Sequence, residues 1–251
     1  MLVVNILKPV LLFAALGVSA CATAPDAVTR TDGIFDPYET QNRAVHAFNL
    51  ELDRTLVRPT ARGYGTVLPG EVQYMVSAFN RNLGMPQMFT NAVLQADVET
   101  AGLAVSRFFI NTVFGFAGVL DTATAFGIPD VDTDFGATLA VWGVGEGAYL
   151  ELPFLGASTQ RDAVGFGVDV FTNPLGFFVS DDVGVYSLVS RGGRFLGDRN
   201  QFSDTVDSIL YESSDSYAQL RLIYLQNRSF ELGQDDPSQE IDPFALETEG
   251  F

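Results

Sequence analysis

The stretch Ala101–Leu120 (AGLAVSRFFINTVFGFAGVL) constrains this chain more than any other. It runs twenty residues with a single charge, Arg107. At helical spacing Thr100, Ala104, Arg107, Asn111, Gly115 and Gly118 follow in steps of three and four, so they share one face. That stripe is small or polar throughout. Leu103, Val105, Phe108, Phe109, Ile110, Val113, Phe114, Phe116, Val119 and Leu120 cover the remaining arc. A helix apolar over so wide an arc faces a protein core or hydrocarbon. Two glycines near its end argue against a straight span, because each weakens a helix by roughly 1 kcal/mol relative to alanine. An arginine among phenylalanines is costly unless it is paired or faces water, so Arg107 is expected to point into the protein or an aqueous passage.

The N-terminus sets the compartment. Lys8 precedes the apolar run Val10–Val18, which has signal-peptide length and is too short to span as a mature helix. It ends in Val18-Ser19-Ala20-Cys21, which resembles a lipobox. Residues 1–20 then form a cleaved lipoprotein signal peptide. Cys21, the sole cysteine, receives diacylglycerol and an N-acyl chain, and no other cofactor or metal is expected. Ala22, where aspartate would favour retention, directs the protein to the outer membrane by resemblance to proteobacterial sorting rules. Cleavage also removes the only lysine, leaving 13 arginines against 31 acids, a formal charge of −18. Such a surface repels nucleic acid and anionic headgroups, so attachment must rest on acyl chains and apolar surface.

Residues 21–35 read as a lipidated tether, 36–228 as a single domain and 229–251 as an acidic, disordered tail. The expected fold is all-α. Asp36 caps a first helix, with Pro37 at its first position and Glu39 completing a capping box, and this helix stops before Pro59. Gly63, Gly65, Pro69 and Gly70 mark a loop. A helix over about 71–83 ends at Gly84, and Pro86 opens a short one. Asp97 or Glu99 starts the central helix that carries the 101–120 run, and residues 121–126 add a turn or two after it. From 130 to 162, glycines interleaved with aromatics indicate mostly loop with at most short strand. Pro174 turns an apolar run over 164–178, and amphipathic helices follow over 183–210 and 215–227, the latter capped by Ser214 or Asp215.

Catalytic and metal motifs are thin. His46 is the sole histidine and falls mid-helix, and no Gly-x-Ser-x-Gly elbow supplies a nucleophile. Asp130-x-Asp132-x-Asp134 begins like a calcium loop, but Phe135 and Val141 stand where glycine and the bidentate glutamate belong. Gly143-x-Gly145-x-Gly147 lacks the spacing of a dinucleotide fingerprint and reads as a tight backbone turn.

Several longer runs point to one family. Asp36-Pro-Tyr-Glu-x-x-Asn42-Arg43, Phe48-Asn49, Arg107-Phe-Phe-x-Asn111-Thr112 with Gly115 and Asp121, and Phe135-Gly136-x-Thr-Leu stand in order. Trp142-Gly-Val-Gly-x-Gly147-x-Tyr149, Leu152-Pro153-Phe154-x-Gly156-x-Ser158 with Arg161-Asp162, Ser213-Ser214-Asp215-x-Tyr217 and Arg221-x-x-Tyr224-x-Gln226-x-Arg228 complete the series. Together they resemble the MlaA (VacJ) outer-membrane lipoproteins over 36–228. Ala148 and Ser216 depart from the family's prolines, and Phe116-Ala117 replaces a more glycine-rich pair.

The resemblance implies a ring-like bundle of amphipathic helices embedded in the inner leaflet of the outer membrane. It also implies removal of mislocalised phospholipids from the outer leaflet. A soluble periplasmic carrier would receive them and feed an inner-membrane ABC transporter, and trimeric porins would be partners. On this reading Arg107, Asn111, Gly115 and Gly118 line or support a polar passage, and Gly143, Gly145 and Gly147 shape its rim or wall. Phe48 holds a gate contact, and Arg107→Leu impairs transport more than Arg199→Leu. The chain would not be an enzyme. The alternatives are a structural lipoprotein anchoring a porin or envelope complex, and a periplasmic phospholipase or esterase dependent on His46.

Overall fold

A computed structural model describes residues 34–175 and 181–234; Cys21, the signal peptide and residues 235–251 lie outside the described residues. Helices dominate. They are α1 (Glu39–Leu52), α2 (Arg58–Val67), α3 (Gly70–Leu94), α4 (Val98–Val113), α5 (Thr122–Ala125), α6 (Phe135–Val141) and α7 (Gln160–Thr172). Then come α8 (Asp181–Gln201), α9 (Ser203–Asp207) and α10 (Ser216–Glu231). One antiparallel hairpin pairs β1 (Tyr149–Leu152) with β2 (Gly156–Thr159), with Tyr149 opposite Thr159 and Leu152 opposite Gly156.

Pro59, expected to end one helix, and Pro86, expected to open another after a stop at Gly84, do neither. The helix continues past Pro59 through a π-helical turn at Asp53–Val57, in which the Arg58 N–H donates to the carbonyl five residues back, at Asp53. That wider turn shifts the hydrogen-bond register just where Pro59 has no N–H to offer. The Thr55 and Thr60 hydroxyls donate to the Glu51 and Leu56 carbonyls four residues back. Gly63 and Gly65 therefore lie inside α2, not in a loop. Likewise α3 is one 25-residue helix through Gly84 and Pro86. Packing decides there: Met85 and Gln87, on either side of the proline, are buried, and α3 is sandwiched between α4 and α8.

The central helix is shorter than its apolar run suggests. It ends at Val113, and the chain then turns through Phe116, Ala117 and Gly118 in succession at φ +53°, +61° and +94°. Left-handed backbone at two non-glycine residues costs about 1–2 kcal/mol each. Hydrogen bonds from Ala117 N–H to Thr112 O (3.0 Å), Gly118 N–H to Asn111 O (2.8 Å) and Leu120 N–H to Gly115 O (2.9 Å) offset it.

Other boundaries move as well. Asp36 is not a cap; α1 starts at Glu39 with no side-chain cap, and Asp36 is buried instead. Asp134 caps the unexpected α6, and Asp215 caps α10, which runs three residues past the expected domain end. The helix expected over 183–210 breaks at Phe202, and Ser208–Glu212 forms a second π-helical turn. Tyr149 N–H donates to Phe35 O at 3.1 Å, so the tether's last residue is already part of the fold.

A Cβ on Gly115 would lie 2.2 Å from Leu120 O and 2.4 Å from Asn111 O, both backbone, whereas one on Gly63 would meet nothing within 4 Å. Gly115→Ala should therefore lower the unfolding midpoint, by about 1–3 kcal/mol of overpacking. Gly63→Ala should hold or raise it by up to roughly 1 kcal/mol. Urea titration followed by circular dichroism in detergent reads both.

Candidate functional site: a polar interior under an apolar coat

Burial in this chain is inverted. Its buried apolar set is small side chains, chiefly alanines with Met85, Tyr149 and Tyr217, while Arg107, Arg161, Arg199, Arg221, Glu151, Asn91 and Asn111 are buried with them. Phe109, Phe114, Phe116, Phe126, Phe166, Phe171, Leu188 and Val189 stand exposed. Soluble monomers bury their large apolar side chains, and contiguous exposed patches of them mark interaction or membrane surfaces.

The α4 stripe builds the centre of this interior. Ala104, Arg107, Asn111, Gly115 and Gly118 are all buried, while Val105, Phe109, Val113 and Phe116 point outward. Arg107 has no exposed surface. Its Nη2 donates to both oxygens of Asp121 at 2.9 Å and to Thr124 Oγ1 at 3.1 Å, and Nη1 donates to Ile128 O at 2.7 Å. Asn111 Nδ2 donates to Asp121 Oδ1 at 3.1 Å, and its Oδ1 accepts from Ala123 N–H at 2.8 Å. Burial alone would raise the Asp121 carboxyl; Thr124, Asn111 and Arg107 together hold it below the usual aspartate value. Arg107 and Asn111 thus clamp the left-handed turn and α5 onto α4. Gly118 is forced by its φ and by Asn82, whose Nδ2 would sit 2.4 Å from an added Cβ.

Three more clusters tie distant segments together. Asp36 accepts from Asn42, Tyr217 and Arg221 (2.7 Å), joining the N-terminus to α10. Asn42 also bonds the hairpin backbone, donating to Tyr149 O at 3.0 Å and accepting from Glu151 N–H at 3.0 Å. Asp162 on α7 accepts from Thr159 Oγ1, Tyr224 and Arg228, and Arg228 also reaches Asp134 at 2.7 Å. Arg199 holds Asp53 through two bonds and Asp207 through a third at 2.6 Å, and Arg58 joins Asp207. Tyr211 donates to Asp53, and its own hydroxyl is pushed up to about 12 by burial and by that carboxylate. Arg199 is therefore no idle comparison for Arg107. Arg62, whose side chain is 57% exposed, is one.

The other expected site residues lie elsewhere. Phe48 is half-exposed and meets Phe154 at the hairpin tip edge-on, with ring centroids 5.4 Å apart. Gly143 and Gly147 take φ +84° and +73°; a Cβ on Gly147 would also strike Gln160 Oε1 at 2.6 Å, while Gly145 has open space. His46 is buried, with Nε2 3.0 Å from Ser216 Oγ and Nδ1 3.4 Å from Glu151 Oε1. Glu151 also accepts from the Tyr149 hydroxyl at 2.6 Å and from Asn49, so this trio knits α1, the hairpin and α10. No cluster of three or more metal-ligating side chains occurs among the described residues, and Asp130 pairs with Arg81 and Arg107.

Charges paired inside, aromatic and aliphatic side chains outside, and no described helix long and apolar enough to cross a membrane define a helical protein with an inverted surface. The MlaA lipoprotein family model matches residues 34–231, and the chain belongs to that family. It is 34% identical over 221 residues to the intermembrane phospholipid transport system lipoprotein MlaA of Escherichia coli, covering 86% of each chain. A Haemophilus influenzae protein of the same description is 30% identical, covering 88% of each. A protein of Rickettsia felis is 35% identical over 190 residues, covering 75% of this chain and 74% of that one. A solved structure, described as the structural basis for maintenance of bacterial outer membrane lipid asymmetry, superposes with a TM-score of 0.68 at 30% identity. That match covers 78% of this chain and 98% of the other.

Two tests follow. Arg107→Leu leaves Asp121 buried without its partner and should cost about 3–5 kcal/mol, whereas Arg62→Leu should stay within about 0.5 kcal/mol. Purified variants unfolded in urea give both values. Asp53 and Asp162 are held below the usual aspartate range because Arg199 with Tyr211, and Thr159 with Arg228, outweigh the upward push of burial. Their stabilisation is present above the unfolded pKa of about 3.9 and is lost as pH falls through their lower folded values. The unfolding midpoint should hold near neutrality and drop below about pH 4.

Proposed function

We propose that this chain is an outer-membrane lipoprotein that maintains lipid asymmetry. It takes mislocalised phospholipids from the outer leaflet through a polar-lined passage and hands them to a soluble periplasmic carrier. That carrier serves an inner-membrane ABC transporter, and a trimeric porin is the membrane partner. One observation carries the reading: the inverted surface on helices of which none, among the described residues, is both long and apolar enough to cross. Such a body can lie within one leaflet with its apolar coat among acyl chains. A charged headgroup can then pass along its polar side without full desolvation, which in hydrocarbon costs many kcal/mol. The named function of the Escherichia coli and Haemophilus influenzae relatives agrees with this. The diacylglycerol and the N-acyl chain on Cys21 together exceed the two membrane signals that stable anchoring needs.

Arg107, Asn111, Gly115 and Gly118 support the passage from within: they fix the turn that presents Phe114 and Phe116 outward. Phe48 steadies the hairpin tip through Phe154, and the Gly143–Gly147 turn forms an open edge. The trio around His46 shares the polarity of a serine–histidine–acid relay. Its histidine and glutamate are sealed by structural bonds, and we assign it to the joint, not to hydrolysis.

Deleting the gene in its Gram-negative host should raise outer-leaflet phospholipid, read by an outer-membrane acyltransferase acting on it. Wild type should restore the level and Cys21→Ala should not. An unchanged level on deletion favours a purely structural lipoprotein and defeats the transport reading.

A further inference from the structure

A cavity of about 250 Å³ opens beside the glycine turn, between α6 and the start of α7; Val144, Glu146, Arg161 and Gln234 are among its lining. Arg161 is the second residue of α7, and its side chain is 3% exposed. Its backbone N–H donates to Glu146 O at 3.1 Å, and its Nε stands 3.3 Å from Asp162 Oδ1. That carboxylate already accepts from Thr159, Tyr224 and Arg228. The two Nη groups of Arg161 make no hydrogen bond with any described residue, although the side chain is otherwise enclosed. Arg161 is thus paired through Nε alone, and a cavity-lining guanidinium whose Nη groups have no protein acceptor among the described residues can take an anion there.

Glu146 borders the same cavity. Packing around its carboxyl, with the nearby Asp162, holds its pKa above the usual glutamate value against the opposing field of Arg161, and Glu146 and Arg161 form no ion pair. A cation and a carboxylate therefore face one small cavity without neutralising each other by contact. The N–H groups of Gly145, Glu146 and Gly147 donate to no described group, and Gly145 has open space beside it. This arrangement complements a dipolar ion, anionic at one end and carrying an N–H cation at the other. The volume lies under the roughly 300–1,000 Å³ of sites that enclose whole drug-sized ligands, which suits a headgroup with its tails outside.

We propose that this cavity is a headgroup pocket for phosphoethanolamine lipids, with Arg161 taking the phosphate oxygens and Glu146 the ammonium. The inference rests on the transport reading and names the headgroup that transport favours. Phosphoglycerol lipids offer the phosphate and no cation, so they should bind more weakly.

The test uses the full-length protein in detergent, titrated with dihexanoyl phosphatidylethanolamine and dihexanoyl phosphatidylglycerol by calorimetry. Wild type should prefer the ethanolamine lipid about tenfold, the 1.4 kcal/mol of one good charged contact. Glu146→Gln keeps the side chain's size and removes only its charge, so it should fold normally and bind the two lipids alike. Arg161→Gln should weaken both at least tenfold. Glycerophosphoethanolamine, the headgroup without tails, should bind at least tenfold more weakly than the lipid; equal binding contradicts a lipid ligand. Equal affinity for both lipids in wild type, or a preference that survives Glu146→Gln, overturns the pocket. Neither result touches the deletion phenotype, which tests transport by itself.

Discussion

Arginines paired with aspartates hold this chain together where a soluble domain would use packed leucine and phenylalanine. Arg107 with Asp121, Arg199 with Asp53 and Asp207, Arg221 with Asp36, and Arg228 with Asp134 and Asp162 each join segments that helix formation alone would leave apart. A buried pair contributes little net stability over an apolar substitute, but breaking one is expensive because the survivor is stranded. The pairs therefore act mainly as registration devices, which fix the helices at defined places while alanines and glycines let backbones approach closely.

That choice frees the aromatic residues. With the interior filled by small and polar side chains, phenylalanines on α4, the turn after it and α7 have no core to enter and face outward. In water such a surface would associate. In a leaflet it is the matching face. Helices of limited apolarity, interrupted by π-turns and left-handed residues, fit the same proposal, because a long uninterrupted apolar helix would be read as a span in any secreted chain. The fold and the proposed transport meet at this point: a body that sits among acyl chains while keeping charge inside can handle a molecule that is itself half charged and half hydrocarbon.

The periodicity of residues 100–118 made the inward stripe legible: steps of three and four put Arg107 and Asn111 together, and the structure buries both. The stripe survives even though the helix stops at Val113, because the turn that follows folds Gly115 and Gly118 back under the same face. Local signals misled where partners are remote. Asp36 looks like a cap beside Pro37, and nothing nearby reveals that it binds Tyr217 and Arg221, more than 180 positions away. Pro59 and Gly84 look like stops and Pro86 like a start because propensity is local, while the packing that carries helices through them is not. In the sequence Arg161 is one member of a motif, and the cavity it lines depends on three-dimensional surroundings that no local pattern reveals.

The most direct measurement is the depth of individual positions in a bilayer. Nitroxide labels placed by single cysteines at Phe109, Phe116 and Phe171, with Cys21 kept lipidated, would be probed by oxygen and by a water-soluble nickel chelate in liposomes. The account predicts that these three report hydrocarbon, at depths within one leaflet, while labels at Glu51 and Arg62 report water. Exposure of all three aromatic positions to the nickel chelate, or depths spread across both leaflets, would contradict it.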